Sequence, residues 1–201
     1  MINRVIRNLI WSDIALWFAI GLLAPIFAIF VTENISGGSL RTVGLAASFY
    51  WIARSIITLP IGRWMDRVGE LGEFKVMLLG SYLIPLTQFC YIFVSQPWHI
   101  YLLGFIHGAS AAMAVPGWRI LFTNHLDRGS TGYEWSVEDV GVGIAIAISS
   151  YVGAFVVEKF GFDILFIILG VVGVLGVSIF ILPLRKHRHI ISKMRTRHLQ
   201  E

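Results

Sequence analysis

Arg54 is the residue in this sequence whose setting most restricts its chemistry. It is the one charge in the apolar stretch Thr42–Gly62, twelve residues from one end and eight from the other. On a helix rising 1.5 Å per residue, neither end is within easy reach of the side chain. A guanidinium at that depth faces a cavity or a partner, and its planar fork suits an anionic group. The competing role is a buried structural ion pair, but no acid of this chain stands at equal depth. His107 lies in a second apolar run, where an imidazole can carry a proton or donate to a solute, or join two helices by a hydrogen bond. Trp17, near Pro25, and Gln88 complete the candidate substrate-binding set of Arg54, His107, Trp17 and Gln88, with interhelical packing as the other role of Gln88. Asp13, with Ser12, is expected to open the first helix, where an acid suits the positive end of the dipole; coupling-ion binding is its alternative.

The sequence holds no pattern for hydrolysis or group transfer. There is no phosphate-cradling glycine loop, no HExxH and no Gly-x-Ser-x-Gly, so no catalytic residue, cofactor or metal is expected. His187 and His189 in the tail form at most a weak, incidental metal pair. Cys90 is the only cysteine, which excludes an internal disulfide and a cysteine-based zinc site; it reads as a small core residue.

The elements that must carry these residues are membrane helices. Of the 201 residues, 56% are hydrophobic and 14% charged, with a mean hydropathy of +0.75. A soluble domain carries about 25% charged residues, and a globule of this size could not hide so much apolar surface. A crossing needs about 20 apolar residues. Ile14–Thr32, Thr42–Gly62, Val140–Val157 and Ile164–Leu184 each supply one. The charge-free run Val76–Trp118 is long enough for two, with a turn at Ser95-Gln96-Pro97. The reading is an all-α integral membrane bundle over 1–184, with six helices near 12–32, 43–62, 74–95, 98–118, 138–158 and 162–184. A basic tail follows at 185–201.

Orientation follows from lysine and arginine. Arg4, Arg7, Arg63, Arg67, Lys75, Arg119, Arg128 and six tail residues fall on one side, while the other holds Arg41 and Lys159. The positive-inside rule puts both termini in the cytoplasm, in the cell (inner) membrane. The net charge of +4 is therefore topological, and no nucleic acid partner is expected. The tail is read as a juxtamembrane segment meeting anionic lipid. The basic N-terminus does not read as a signal peptide, since the apolar stretch after it is too long and lacks a cleavage site. Trp98, Trp118 and Trp135 suit interfacial belts. Pro25, Pro60, Pro85 and Pro116 are placed to bend their helices. Intramembrane glycines such as Gly104 and Gly108 suit close helix packing.

Between the second and third spans stands Gly62-Arg63-Trp64-Met65-Asp66-Arg67-Val68-Gly69. This segment resembles the signature loop of the major facilitator superfamily: a glycine, three residues, then Asp-Arg-x-Gly. The family's loop continues with basic residues; here Glu70 and Leu71 follow. In the fourth span, Gly104 and His107 occupy places that hold arginine and glutamine in the family's drug:proton antiporters. In the fifth, Ser149-Ser150 and Gly153-Ala154 replace a glycine–proline pattern. The resemblance implies a secondary transporter of a small organic solute working by alternating access, with the chain equivalent to one six-helix half. It implies a conformational switch at Gly62, Asp66, Arg67 and Gly69. Arg119, at the inner end of its helix, is the natural counter-charge of Glu134, Glu138 and Asp139, and a cytoplasmic gate of Asp66, Arg119 and Glu138 or Asp139 is expected. A parallel homodimer would rebuild the family's twelve-helix plan. One half of a heteromeric carrier, a non-transporting membrane scaffold and a truncated full-length transporter are the alternatives.

Overall fold

The computed structural model describes residues 2–181. The expected basic tail, with His187 and His189, and the Glu70 side chain lie outside the described residues. The first crossing is a broken helix. α1 spans Arg4–Leu23 and is capped by Asn3, whose side-chain oxygen accepts from the Ile6 N–H at 2.9 Å. Pro25 has no N–H to continue the ladder, and the chain turns through Ala24 and Ile26 into α2, Phe27–Asn34. Asp13 is thus more than two turns inside α1, which corrects its expected role as the opening cap. A window of apolar residues marks the hydrocarbon layer. A helix continues past that layer wherever its backbone bonds can form, here through Arg4 and Arg7.

The same reason lengthens the other helices. α3 covers Leu40–Gly69 and α4 Leu71–Phe93; Gly69, at φ 70° and ψ 175°, divides them. That backbone geometry suits a residue without a Cβ. α5 spans Pro97–His125 after the expected turn, with the Gln96 and His99 side chains forming a reciprocal capping box. The last helical stretch, Thr131–Ile181, has 51 residues. At 1.5 Å per residue it measures roughly 75 Å, over twice the ~30 Å hydrocarbon layer. It folds at Gly161 (φ 81°, ψ 175°) into α6, residues 131–160, and α7, residues 162–181, whose last turn Val177–Ile181 is a π-helix. The described residues thus give five helices long and apolar enough to cross a membrane, the last of them folded in two at Gly161.

α5 packs chiefly on α3 and α4, and α1 on the α6–α7 hairpin. In lipid no hydrophobic force drives helices together, so close backbone approach does the work. A Cβ on Gly104 would stand 2.8 Å from the Ala46 carbonyl oxygen, and one on Gly108 would collide with the Tyr50 carbonyl. Gly153 abuts the Leu22 carbonyl in the same way, joining α6 to α1. An aromatic knot ties α2, α4 and α7: Phe30 lies edge-on to Phe166 at 4.8 Å, and Tyr91 stacks on Phe166 at 5.4 Å.

Two expectations fail here. Cys90 is exposed on the bundle surface, because it lies on the outward side of the last turns of α4. Trp118 and Trp135 do not join an interfacial belt with exposed Trp98. They turn inward, Trp118 stacked on Phe122 at 4.8 Å and Trp135 packed against both. Indole at a helix end is amphipathic, and burial against other aromatic rings competes with the interface.

Candidate functional site

The site begins with two residues one helical turn apart. On α3, Arg54 Nη1 donates to the Tyr50 hydroxyl at 2.9 Å. The guanidinium carbon lies 5.1 Å from the Trp51 ring centroid and 5.9 Å from that of Tyr50. Spacings of three and four bring these side chains onto one helix face. The cation is therefore held by a phenol and two π-faces. Those contacts hold it in place while leaving donors of its fork to spare.

His107 comes from α5. Its ring meets Tyr50 edge-on, 5.2 Å between centroids at 73°. The neighbouring Gly108 permits this, since it brings the α5 backbone against the Tyr50 carbonyl. Arg54 and His107 both meet Tyr50 and line one cavity.

A cavity of about 290 Å³ opens in front of these residues. α1 contributes Asp13 and Trp17, α3 Tyr50 and Arg54, α5 His107, Trp118 and Arg119, and α6 Trp135 and Glu138. Asp13, Trp17, Arg119 and Glu138 stand on one cavity wall. The cavity thus offers two guanidinium groups, an imidazole, two carboxyls and three indoles. Such a surface can hold a charged solute with an apolar body.

A second cavity, also about 290 Å³, lies on the α2 side. Ile20, Tyr50 and His107 line both, so the Tyr50–His107 pair forms part of the common wall. Gln88 of α4 lines the second cavity, 6% exposed, and its Oε1 has no hydrogen-bond partner among the described residues.

Of the four expected binding residues, Arg54, His107 and Trp17 share the first cavity, and Gln88 lies in the second. Of the expected gate, Arg119 and Glu138 meet in the first cavity, joined by Asp13. Asp66 and Arg67 are exposed on the last turn of α3, Gly62 sits in the helix before them and Gly69 makes the turn. Asp139 is exposed, and neither it nor Asp66 is on the cavity wall. Tyr50, which the sequence reading did not single out, and Asp13, which it read first as a cap and otherwise as a coupling-ion site, both line the cavity. The signal was present in the four-residue spacings Tyr50–Arg54 and Asp13–Trp17.

The N-terminal end of the bundle carries a separate clasp. Asn3 Nδ2 donates to the His125 carbonyl at 2.7 Å and to Asp127 Oδ1 at 3.1 Å. The Asp127 N–H donates to Glu134 Oε2 at 3.1 Å. Hydrogen bonding from Asn3, ahead of other causes, holds the Asp127 carboxyl below the usual carboxylate range. The clasp fixes the start of α1 to the loop between α5 and α6.

A sequence profile of the Major Facilitator Superfamily matches residues 10–199. The multidrug resistance protein MdtG of Salmonella arizonae is 28% identical over 172 residues, covering 81% of this chain and 40% of the relative. The MdtG proteins of Salmonella paratyphi B and Salmonella newport are each 27% identical over the same length and the same shares. The chain thus spans about 40% of the length of the curated relatives it matches.

Proposed function

Because this chain belongs to the Major Facilitator Superfamily, a family of transporters and not of enzymes, we propose that it helps carry a small organic anion or zwitterion across the cell membrane by alternating access. The observation behind this reading is Arg54, a cation at mid-depth on a cavity wall, steadied by Tyr50 and Trp51. An ionised group inside a membrane protein is costly unless a pathway or partner uses it. Trp17, Trp118 and Trp135 along the same wall suit an apolar solute body. The multidrug resistance named for the relatives is consistent with such a solute.

Both termini lie in the cytoplasm of the inner membrane. A second six-helix bundle of the same topology faces the cavity, in the first instance another copy of this chain in a parallel homodimer. Asp13, Arg119 and Glu138 act as the cytoplasmic gate, and the Gly62–Gly69 segment, with Asp66 and Arg67, makes and breaks contacts with the second bundle as access alternates.

The test is uptake of radiolabelled organic carboxylates into proteoliposomes by the wild type, Arg54→Gln and Arg54→Lys. A hydrogen bond to a charged group contributes about 1.5–3 kcal/mol, so Arg54→Gln should lower transport roughly 10–100-fold. Arg54→Lys should fall between, because lysine keeps the charge without the fork. Wild-type transport by Arg54→Gln would sink the proposal.

A further inference from the structure

We propose that the α2-side cavity is a second ligand subsite, which takes the apolar, hydrogen-bond-donating end of an amphiphilic solute whose anionic end meets Arg54. The inference rests on the transport reading above and names its substrate class. Its independent observation is Gln88. The side chain is 6% exposed, lines the cavity, and its enclosed Oε1 accepts no hydrogen bond among the described residues. An unpaired carbonyl oxygen in an apolar wall is costly to bury. Rotation of the amide toward the cavity would let a ligand N–H or O–H satisfy it.

The rest of the wall selects the body of that ligand. Leu23, Phe27, Val43 and Leu169 are apolar, and Tyr91 adds a ring. A volume of about 290 Å³ lies near the lower end of the roughly 300–1,000 Å³ usual for ligand sites, which suits a bicyclic body. Tyr50 and His107, touching edge-on, border both cavities. The Tyr50 hydroxyl is also the acceptor that steadies Arg54. A solute reaching past this pair would have its anionic end beside Arg54 and its donor beside Gln88. Full affinity would then draw on both ends.

Three probes separate the ends: 5-amino-1-naphthoate carries donor and anion, 1-naphthoate the anion alone, and 1-naphthylamine the neutral donor alone. Binding to the full chain in lipid nanodiscs is measured by titration calorimetry. Gln88→Leu should weaken 5-amino-1-naphthoate about five- to tenfold and change 1-naphthoate less than twofold. Ala47→Phe, which fills the same cavity from α3, should weaken all three, so the conclusion does not hang on one variant's folding. Equal weakening of every probe by Gln88→Leu, no weakening by Ala47→Phe, or no binding of the aminonaphthoate to the wild type would overturn the subsite. Arg54→Gln should weaken the two carboxylates and spare 1-naphthylamine. If it does not, while the Gln88→Leu selectivity persists, the anion reading fails and the subsite stands.

Discussion

Tyr50 decides how much of Arg54 a solute can use. Its hydroxyl accepts from Arg54 while its ring backs His107, so one side chain orients both candidate binding groups. Tyr50→Phe keeps the ring and removes the acceptor. We expect KM for carboxylate transport to rise about three- to tenfold with kcat little changed, as measured in proteoliposomes, because the lost contact positions the ground state and the transition state alike. In the clasp at the N-terminal end of the bundle, Asp127 sets a pH dependence. Its carboxyl lies lower than in an unfolded chain, so its stabilisation is full above about pH 4 and is lost as pH falls through the folded value. The wild-type melting temperature in nanodiscs should therefore fall on acidification below pH 4. Asp127→Ala should lower it at pH 7 and flatten that acid limb. Arg54 and His107 were legible at this scale because charge and imidazole stand out in an apolar run. Asp13 was not, because a sequence marks where apolarity begins and not where a helix begins.

Helices determine which of these side chains meet. α5 lies against the α3 backbone through Gly104 and Gly108, and that contact sets His107 against Tyr50. Gly108→Leu must push the Tyr50 carbonyl away, with an overpacking cost of about 1–3 kcal/mol. The expected result is a lower melting temperature together with loss of carboxylate binding. Gly132→Ala is the control: nothing lies within 4 Å of a Cβ there, and the change should be neutral or slightly stabilising. The turn at Ser95-Gln96-Pro97 was readable from its residue types. Helix ends were not, since capping by Asn3 and Ser39 lies outside the apolar windows. The inward turn of Trp118 and Trp135 was hidden for a related reason: hydropathy gives an indole's depth and not the side of the helix it faces.

The bundle as a whole carries two apolar stripes beside the site. On α3, Leu45, Phe49, Ile52, Ile56 and Leu59 are exposed at spacings of three and four; on α6, Val140, Ile144, Ile148 and Tyr151 repeat the pattern. If a second copy completes the cavity, one of these stripes meets its counterpart across the twofold axis. In a Cys90→Ser background, Ile52→Cys or Ile148→Cys should cross-link to a covalent dimer in native membranes under mild oxidation. Ile179→Cys, on the exposed side of α7, should stay monomeric. Equal cross-linking at all three positions would count against a defined parallel dimer.

Composition and order of residues were enough to determine a multi-pass helical membrane protein, its family and the unusual charge in its second crossing. Each of these depends on local facts: apolar length against bilayer thickness, a loop of consecutive residues, one charge in an apolar run. Only the tertiary structure decided that Asp13 shares a cavity with Glu138 and Arg119, that Tyr50 joins Arg54 to His107, and that Gln88 lines a second cavity. Those pairings depend on how far each helix is rotated about its axis. That rotation is set by glycine contacts and aromatic packing between segments far apart in the chain.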